Sequence, residues 1–164
     1  MTALKELTPF AEKGDTDAQV LLGLMYSRGN GTSKDYAAAL KWYQAAAERG
    51  SSEARTLLGS MYMSGLGVAK DTSQALKLWK IAANQGNPGA QVTLGLAYRN
   101  LRDVPHDFVQ SYMWFELAAR GGDSLAARQR DDLRRSMKPE EIAKAESLAR
   151  EWKPTGGTKP APGK

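Results

Sequence analysis

The chain has 164 residues, of which 41% are hydrophobic, so it holds enough apolar material for a folded core and is not wholly disordered. It contains no cysteine, which excludes a disulfide framework and thiol chemistry. The net charge is +5, with 12 basic and 11 acidic residues in residues 1–119 and 11 basic and 7 acidic in residues 120–164. This excess is too diffuse for the basic stripe of a nucleic-acid-binding protein, so we expect no nucleic-acid partner.

The N-terminal segment MTALKELTPFAEKGD lacks the basic and then apolar layout of a secretory signal peptide. No apolar run in the sequence approaches the roughly 18 residues that a membrane-spanning helix needs. We therefore predict a cytoplasmic protein without a membrane span. A chain from which such a segment had been removed would show the same sequence pattern. An exported or membrane-anchored parent chain therefore stays open as an alternative.

A period of 36 residues runs through the chain. Comparing the sequence with itself at that shift aligns several sets of identical residues, namely Gly14/Gly50/Gly86/Gly122, Ala18/Ala54/Ala90/Ala126, Leu22/Leu58/Leu94, Gly23/Gly59/Gly95, Tyr26/Tyr62/Tyr98 and Asp35/Asp71/Asp107. Periods of about 20–50 residues indicate a stacked-repeat architecture. We predict a helix B-like half repeat at 1–14, repeats at 15–50, 51–86 and 87–122, capping helices at 123–153 and a disordered tail at 154–164.

Each repeat divides into two helices, A and B, joined by a loop. In the first repeat helix A covers 16–28, with apolar residues at i, i+4 and i+8 on one face. Gly23 lies inside this helix, where glycine costs up to about 1 kcal/mol relative to alanine, so we expect helix B to approach closely there. Loop glycines precede Asp35, which has the type and position of a helix N-cap, and Gly50 fits the stop of helix B.

The third repeat and the C-terminal part depart from this pattern. Leu101 and Asp103 replace the two loop glycines, so we expect a helix–loop–helix with a different loop conformation. Residues 123–138 begin like helix A but lose its Leu-Gly-x-x-Tyr core, as a polar capping helix would. Pro139 fits the first turn of a last helix, which we expect to run to Trp152.

The pattern A…LG..Y..G.GV..D…AL.W…AA..G, clearest in residues 54–86, resembles Sel1-like repeats, which are related to tetratricopeptide repeats. This resemblance covers the three full repeats. It implies an all-α fold, a right-handed α-solenoid of antiparallel helix pairs. It also implies a role in protein–protein contacts and complex assembly, since members include bacterial regulatory, secretion and envelope proteins.

The resemblance also indicates where a protein or peptide partner would bind. By analogy with tetratricopeptide grooves, the concave face consists of the helix-A residues that turn away from helix B: Val20, Leu24, Arg28, Thr56, Ser60, Met63, Val92, Leu96 and Arg99. The apolar members would form a floor, and Arg28 and Arg99 would pair with an acidic side chain or a C-terminal carboxylate. The alternative is that these residues pack on the neighbouring helix A.

Sequence signals for chemistry are missing. The single histidine, His106, has no metal-ligand spacing around it, and neither a phosphate-binding loop nor a G-x-S-x-G motif is present. We therefore predict a scaffold or adaptor with no enzyme activity, no cofactor and no metal. Two alternatives remain: a hydrolase-like member that acts on cell-wall precursors or β-lactams, a subgroup whose disulfide in each unit this chain lacks, and a self-associating module that forms a homo-oligomer.

Overall fold

The computed structural model describes residues 2–155, and within them the chain forms helices and no strand. The predicted tail lies outside the described residues from 156 onwards. The described helices follow the predicted order: α1 (Thr2–Glu12), α2 (Thr16–Arg28), α3 (Tyr36–Glu48), α4 (Ser52–Ser64), α5 (Thr72–Asn84), α6 (Pro88–Asn100), α7 (Phe108–Arg120), α8 (Ser124–Arg134) and α9 (Pro139–Glu151). Helices α2, α4 and α6 are the predicted A helices, and α3, α5 and α7 are the B helices.

The described residues fall into two compact units, 2–78 and 79–155, whose boundary lies inside α5. In the first unit α1 packs on α2, α2 on α3 and α3 on α4. In the second unit α7 packs on α6, α8 and α9. Each unit therefore buries its apolar residues between successive antiparallel helices, which is how a helical repeat forms a core.

The helix starts are set by short polar side chains at the N-cap. Asp35 accepts a hydrogen bond from the Ala38 backbone N–H at 2.9 Å, and Asp107 accepts one from Gln110 at 2.9 Å. Asp71 accepts in the same way from Gln74. The predicted capping role of these three aspartates is confirmed. Each bond satisfies a backbone donor that the first helical turn leaves without a partner.

Glycines inside the A helices allow the close helix approach that the sequence predicts. A side chain on Gly23 would overlap the ring of Tyr43 in α3, and one on Gly95 would overlap the ring of Phe115 in α7. Tyr43 is 2% exposed and Phe115 is fully buried. The aromatic ring of helix B therefore fills the space that the glycine leaves, in both units.

Buried glutamines add a second link between consecutive helices. The Gln19 side-chain amide donates to the Ala11 carbonyl at 2.9 Å, and the Gln91 amide donates to the Ala83 carbonyl at 3.3 Å. Both glutamines are buried, and each bond ties a helix A to the end of the preceding helix B. Two full periods separate the two glutamines, so they occupy equivalent positions of the first and third repeats.

The loops after the A helices use two different conformations. Gly29 and Gly65 end α2 and α4 with φ angles of +75° and +67°, which a residue with a side chain adopts only with strain. Leu101 ends α6 with φ −71° and ψ 122°, an extended conformation. In this third loop Val104 is 3% exposed, so a buried side chain replaces the glycine turn. The expectation of a different loop in the third repeat is confirmed.

Helices α8 and α9 complete the second unit. Ala145 and Ala149 of α9 are buried, and the Arg120 guanidinium of α7 donates to the Ala149 carbonyl at 2.9 Å. Glu141 accepts from the Lys138 backbone N–H at the start of α9. The helix ends at Glu151, one residue before the predicted end. Both elements are thus helices that pack on α7, and their capping role stays a prediction.

Candidate functional site

The predicted site residues of the first unit differ in their exposure. Val20 is 4% exposed and belongs to the core cluster that also contains residues of α3 and α4. Its side chain is therefore not accessible to a partner. Leu24 and Met63 are half-buried, and Leu24 packs against the same cluster. Arg28 is exposed at the end of α2.

The two hydroxyl residues predicted on α4 bond to their own helix. The Thr56 hydroxyl donates to the Ser52 carbonyl at 2.8 Å, and the Ser60 hydroxyl donates to the Thr56 carbonyl at 3.1 Å. Ser60 is exposed and Thr56 is half-buried. A hydroxyl that donates to its own backbone keeps its lone pairs, so the exposed Ser60 oxygen can accept a hydrogen bond from a ligand.

A buried phenol lies under the α2 part of this face. The Tyr43 hydroxyl is 3.3 Å from the Ser27 hydroxyl. Burial raises the pKa of Tyr43, an effect that the Ser27 hydrogen bond and the charge of Arg28 oppose and the charge of Glu53 reinforces. The exposed Arg28 guanidinium therefore lies within electrostatic range of the phenol, and Tyr43 stays neutral at physiological pH.

In the second unit the predicted residues lie along one stripe of α6. Val92 is half-buried and packs against the core cluster of α7, α8 and α9 residues. Leu96 is 36% exposed. Arg99 is half-buried, and its Nη1 donates to the Gln129 side-chain oxygen of α8 at 2.6 Å. This bridge holds a cationic group beside an exposed leucine, since residues three apart are neighbours on a helix surface.

Exposed leucines that the sequence analysis did not select extend both faces. Leu21 of α2 is 47% exposed, and Leu125 of α8 is 50% exposed. Leu125 lies one 36-residue period after Gly89, which precedes the selected Val92 by three residues on the same face of α6, so extending this face into α8 by one period would have found it. Leu21 lies between the selected positions Val20 and Leu24, and only its exposure distinguishes it from a core residue.

Each unit also carries a shallow groove apart from the predicted residues. The groove of the first unit, about 370 Å³, is lined by residues of α3, α4 and α5 that include Arg55 and Tyr62. The groove of the second unit, about 440 Å³, lies where Trp152 and Pro154 pass the α5–α6 corner. Trp152 donates to the Asn84 side chain there at 3.2 Å. Both grooves are open and have mixed polar and apolar walls.

Ionisable groups of the second unit form structural contacts between its helices. Glu116 of α7 pairs with Arg120 and with Arg130 of α8, each at 2.8 Å. The Tyr112 hydroxyl donates to Glu146 of α9 at 3.2 Å. His106 is exposed, and within residues 2–155 no group of three or more His, Cys, Asp or Glu side chains is placed to hold a metal ion. No helix of the same residues is long and apolar enough to cross a membrane.

The repeat geometry agrees with the family comparison. The Sel1 repeat model matches three consecutive segments of the chain, residues 16–51, 52–87 and 88–123. The chain belongs to the Sel1 repeat family. The matched segments begin one residue after the repeats read from the sequence, and the resemblance to Sel1-like repeats is confirmed. No curated protein matches the chain.

Solved structures give the same fold. The crystal structure of a Sel1 repeat protein from Oxalobacter formigenes is 32% identical, with a TM-score of 0.72 over 92% of this chain and 64% of that one. The structure of c5321, a protective antigen of uropathogenic Escherichia coli strains with an SLR fold, is 26% identical, with a TM-score of 0.68 over 91% of this chain and 40% of that one. The chain thus spans less than two thirds of either protein. Its fold is the all-α helical-repeat solenoid of this family.

Membership of the family sets the general class of function. Sel1 repeats are generally protein–protein interaction modules, and Sel1 repeat scaffold proteins are generally non-enzymatic. The comparisons name neither a partner nor a binding face for this chain. The geometry of its helix-A faces is therefore the basis for a more specific proposal.

Proposed function

We propose that this protein is a scaffold or adaptor that binds a peptide or protein segment on its helix-A faces. The observation that carries the proposal is the α6 stripe, where the exposed Leu96 lies beside Arg99. An apolar side chain flanked by a fixed cation fits a ligand with an aliphatic side chain and a carboxylate.

The Gln129 bridge prepares Arg99 for such a ligand. A guanidinium has five N–H donors, and the 2.6 Å bond to Gln129 involves only Nη1. The N–H groups of Arg99 that do not bond to Gln129 can donate to a carboxylate. Because the side chain is half-buried and already held, binding costs less rotamer entropy than it would for a free arginine.

The first unit offers a second cation with different properties. Arg28 is exposed at the C-terminal end of α2, near the half-buried Leu24 and the exposed Leu21. An exposed arginine contributes less to affinity than a half-buried one that is already hydrogen-bonded, and it acts more on the association rate. We propose that Arg99 contributes more to affinity than Arg28 does.

A selection from a random peptide display library tests the proposal, with the immobilised 164-residue protein as bait. We expect enriched peptides to share an acidic residue or a free C-terminal carboxylate next to aliphatic residues. Arg99→Glu and Leu96→Asp should each weaken a selected peptide about tenfold or more, and Arg28→Glu should weaken it less.

Arg150→Glu is the matched control, because Arg150 is exposed on α9 and changes the net charge equally. Peptides that bind equally well to wild type, Arg99→Glu and Leu96→Asp would refute the assignment of this face. Equal loss with Arg150→Glu would show that net charge, and not the α6 stripe, governs binding.

A further inference from the structure

Helix α1 exposes a face that its equivalents in the repeats bury. In α3 this face holds Ala39, Tyr43 and Ala46, of which the two alanines are fully buried and the tyrosine is 2% exposed. The ring of Tyr43 lies against Gly23 of α2, so the helix A of the same repeat provides the cover. The equivalent residues of α7 lie two periods further on, and all three are fully buried: Ser111, Phe115 and Ala118.

The 36-residue register assigns Ala3, Leu7 and Phe10 to the same three positions of α1. Ala3 is exposed, Leu7 is half-buried and Phe10 is 60% exposed. The side of α1 with Ala11 packs on α2, since Ala11 is buried in a cluster with Ala18 and Leu22, and the half-buried Leu7 packs against the same cluster. Of the three positions, Ala3 and Phe10 therefore have no covering helix within residues 2–155, and Phe10 is one of the most exposed large apolar side chains there.

The side-chain sizes on this face do not suit another repeat helix. In the repeats, the aromatic ring of helix B lies opposite a glycine of helix A, and helix B carries an alanine one turn after the ring. These small residues let the two helix axes lie close together. In α1 the order is inverted, because leucine takes the aromatic position and phenylalanine takes the alanine position. A helix A in the usual place would meet the Phe10 ring, whereas a partner that packs around a central phenylalanine fits.

The charges on either side of Phe10 indicate a second copy of the same helix. Glu6 lies in α1 four residues before Phe10, and Lys13 lies three residues after it, in the turn that directly follows the helix. Both are exposed, and the Lys13 N–H still donates to the Pro9 carbonyl at 3.4 Å, so Lys13 continues the helical path with Phe10 between the two charges. When two such helices pack antiparallel, Glu6 of each lies opposite Lys13 of the other and the two Phe10 rings meet. One surface patch thus complements itself, as a two-fold symmetric contact requires.

We propose that α1 is a homodimer contact, in which two copies of the chain pack their α1 faces antiparallel around a two-fold axis at Phe10. An 11-residue helix is about 16 Å long, so one helix pair buries less than the roughly 1,200–2,000 Å² of a standard stable interface. The dimer is therefore weak and depends on protein concentration. It is independent of the α6 stripe, so loss of one contact leaves the other intact.

Sedimentation velocity or light scattering over a wide concentration series tests the dimer. We expect wild type to shift from monomer towards dimer as the concentration rises, and Phe10→Asp to remain monomeric over the same range. Leu125→Asp is the control, because Leu125 is exposed to a similar degree on α8 and lies outside the proposed contact. A wild-type chain that stays monomeric throughout, or a dimer that Phe10→Asp does not weaken, would overturn the proposal.

A charge exchange tests the antiparallel arrangement without removing apolar surface. Glu6→Lys and Lys13→Glu alone should each weaken the dimer about tenfold, since each places like charges together twice. The double variant Glu6→Lys/Lys13→Glu should restore wild-type association. A double variant as weak as the single ones would refute the pairing. Circular dichroism of all variants distinguishes loss of association from loss of fold, because an unfolded variant loses helical signal. We expect every variant to keep its fold, since α1 lies at one edge of its unit.

Discussion

The helix pairs α2–α3 and α6–α7 share one packing contact and differ in the loop that joins their helices. In both pairs a glycine of helix A lies under an aromatic ring of helix B, Tyr43 in the first and Phe115 in the second. The first loop starts with Gly29 in the left-handed region, and the third starts with Leu101 in an extended conformation. The helix contact therefore does not depend on the glycine loop.

Both loops close with the same backbone hydrogen bond. The Asp35 N–H donates to the Tyr26 carbonyl at 2.9 Å, and the Asp107 N–H donates to the Tyr98 carbonyl at 3.0 Å. The chain has two ways of spanning the distance between these groups: a turn that needs positive φ, and a turn anchored by buried Val104. The recurring tyrosine and aspartate fix the ends of the loop, and the residues between them are free to differ.

The largest expected effect comes from overpacking the shared contact between the glycine and the aromatic ring. Gly95→Ala would place a Cβ against the Phe115 ring, and we expect the free energy of unfolding to fall by about 2–3 kcal/mol, because this overpacking outweighs the helix preference of alanine. Gly23→Ala, which faces Tyr43, should cost a similar amount. Urea unfolding of the purified variants measures both values.

Gly89→Ala is the matched control in the same helix. Gly89 is exposed, and the nearest atom to an added Cβ is the Asn87 side-chain oxygen at 3.3 Å, so the change should alter stability by less than about 1 kcal/mol. Phe115→Leu should recover part of the loss in the Gly95→Ala background by making room for the new Cβ. Equal stability of Gly95→Ala and Gly89→Ala would contradict the close-approach explanation.

A smaller effect should distinguish the two loop designs. Val104→Ala removes two buried methyl groups, and we expect a loss of about 1–2 kcal/mol. Val68, one period earlier in the glycine loop of the second repeat, is only half-buried, so Val68→Ala should cost clearly less. Thermal unfolding of the two variants side by side measures the difference. A larger loss for Val68→Ala would show that the third loop does not rely on its valine.

Some of these contacts could be predicted from the sequence, and others could not. The period predicted α1 to α8 to within a few residues, and Pro139 marked the start of α9, because caps and glycine stops are local signals: Asp35 and Gly50 fix their helix ends by their own chemistry. The period also predicted that Gly23 meets a helix-B residue. It did not predict that buried Gln19 links α2 to the Ala11 carbonyl, because a glutamine in a helix pattern is usually exposed.

The candidate site was less predictable than the fold. Helical spacing places Val20 and Leu24 away from α3, but it does not show that Val20 joins a buried cluster with residues of α3 and α4. That burial depends on how one repeat follows another, which is a non-local property. The same limitation applies to Arg99, whose spacing suggested a free cation and whose Gln129 partner lies 30 residues away. Phe10 was recognisable only once the burial of its equivalents in α3 and α7 was known.

The smallest expected effect concerns the one polar difference between the two aromatic rings. Tyr43→Phe gives α3 the same ring as α7 and removes the hydroxyl contact with Ser27, so we expect a loss of about 0.5–1 kcal/mol near neutral pH. Burial raises the pKa of Tyr43 in the folded protein. Above pH about 10 the unfolded tyrosine loses its proton while the folded one keeps it, so the stability that the phenol contributes decreases as pH rises through the folded pKa.

Unfolding measured from pH 7 to pH 11 should therefore show the difference between wild type and Tyr43→Phe shrinking above pH about 10. Ser27→Ala separates the two causes. It removes the hydrogen bond but leaves the phenol buried, so its stability should fall at alkaline pH as that of wild type does. If Ser27→Ala instead loses the alkaline dependence as Tyr43→Phe does, the hydroxyl contact and not burial controls the titration of Tyr43, and the packing of the ring under Gly23 is not what keeps the phenol neutral.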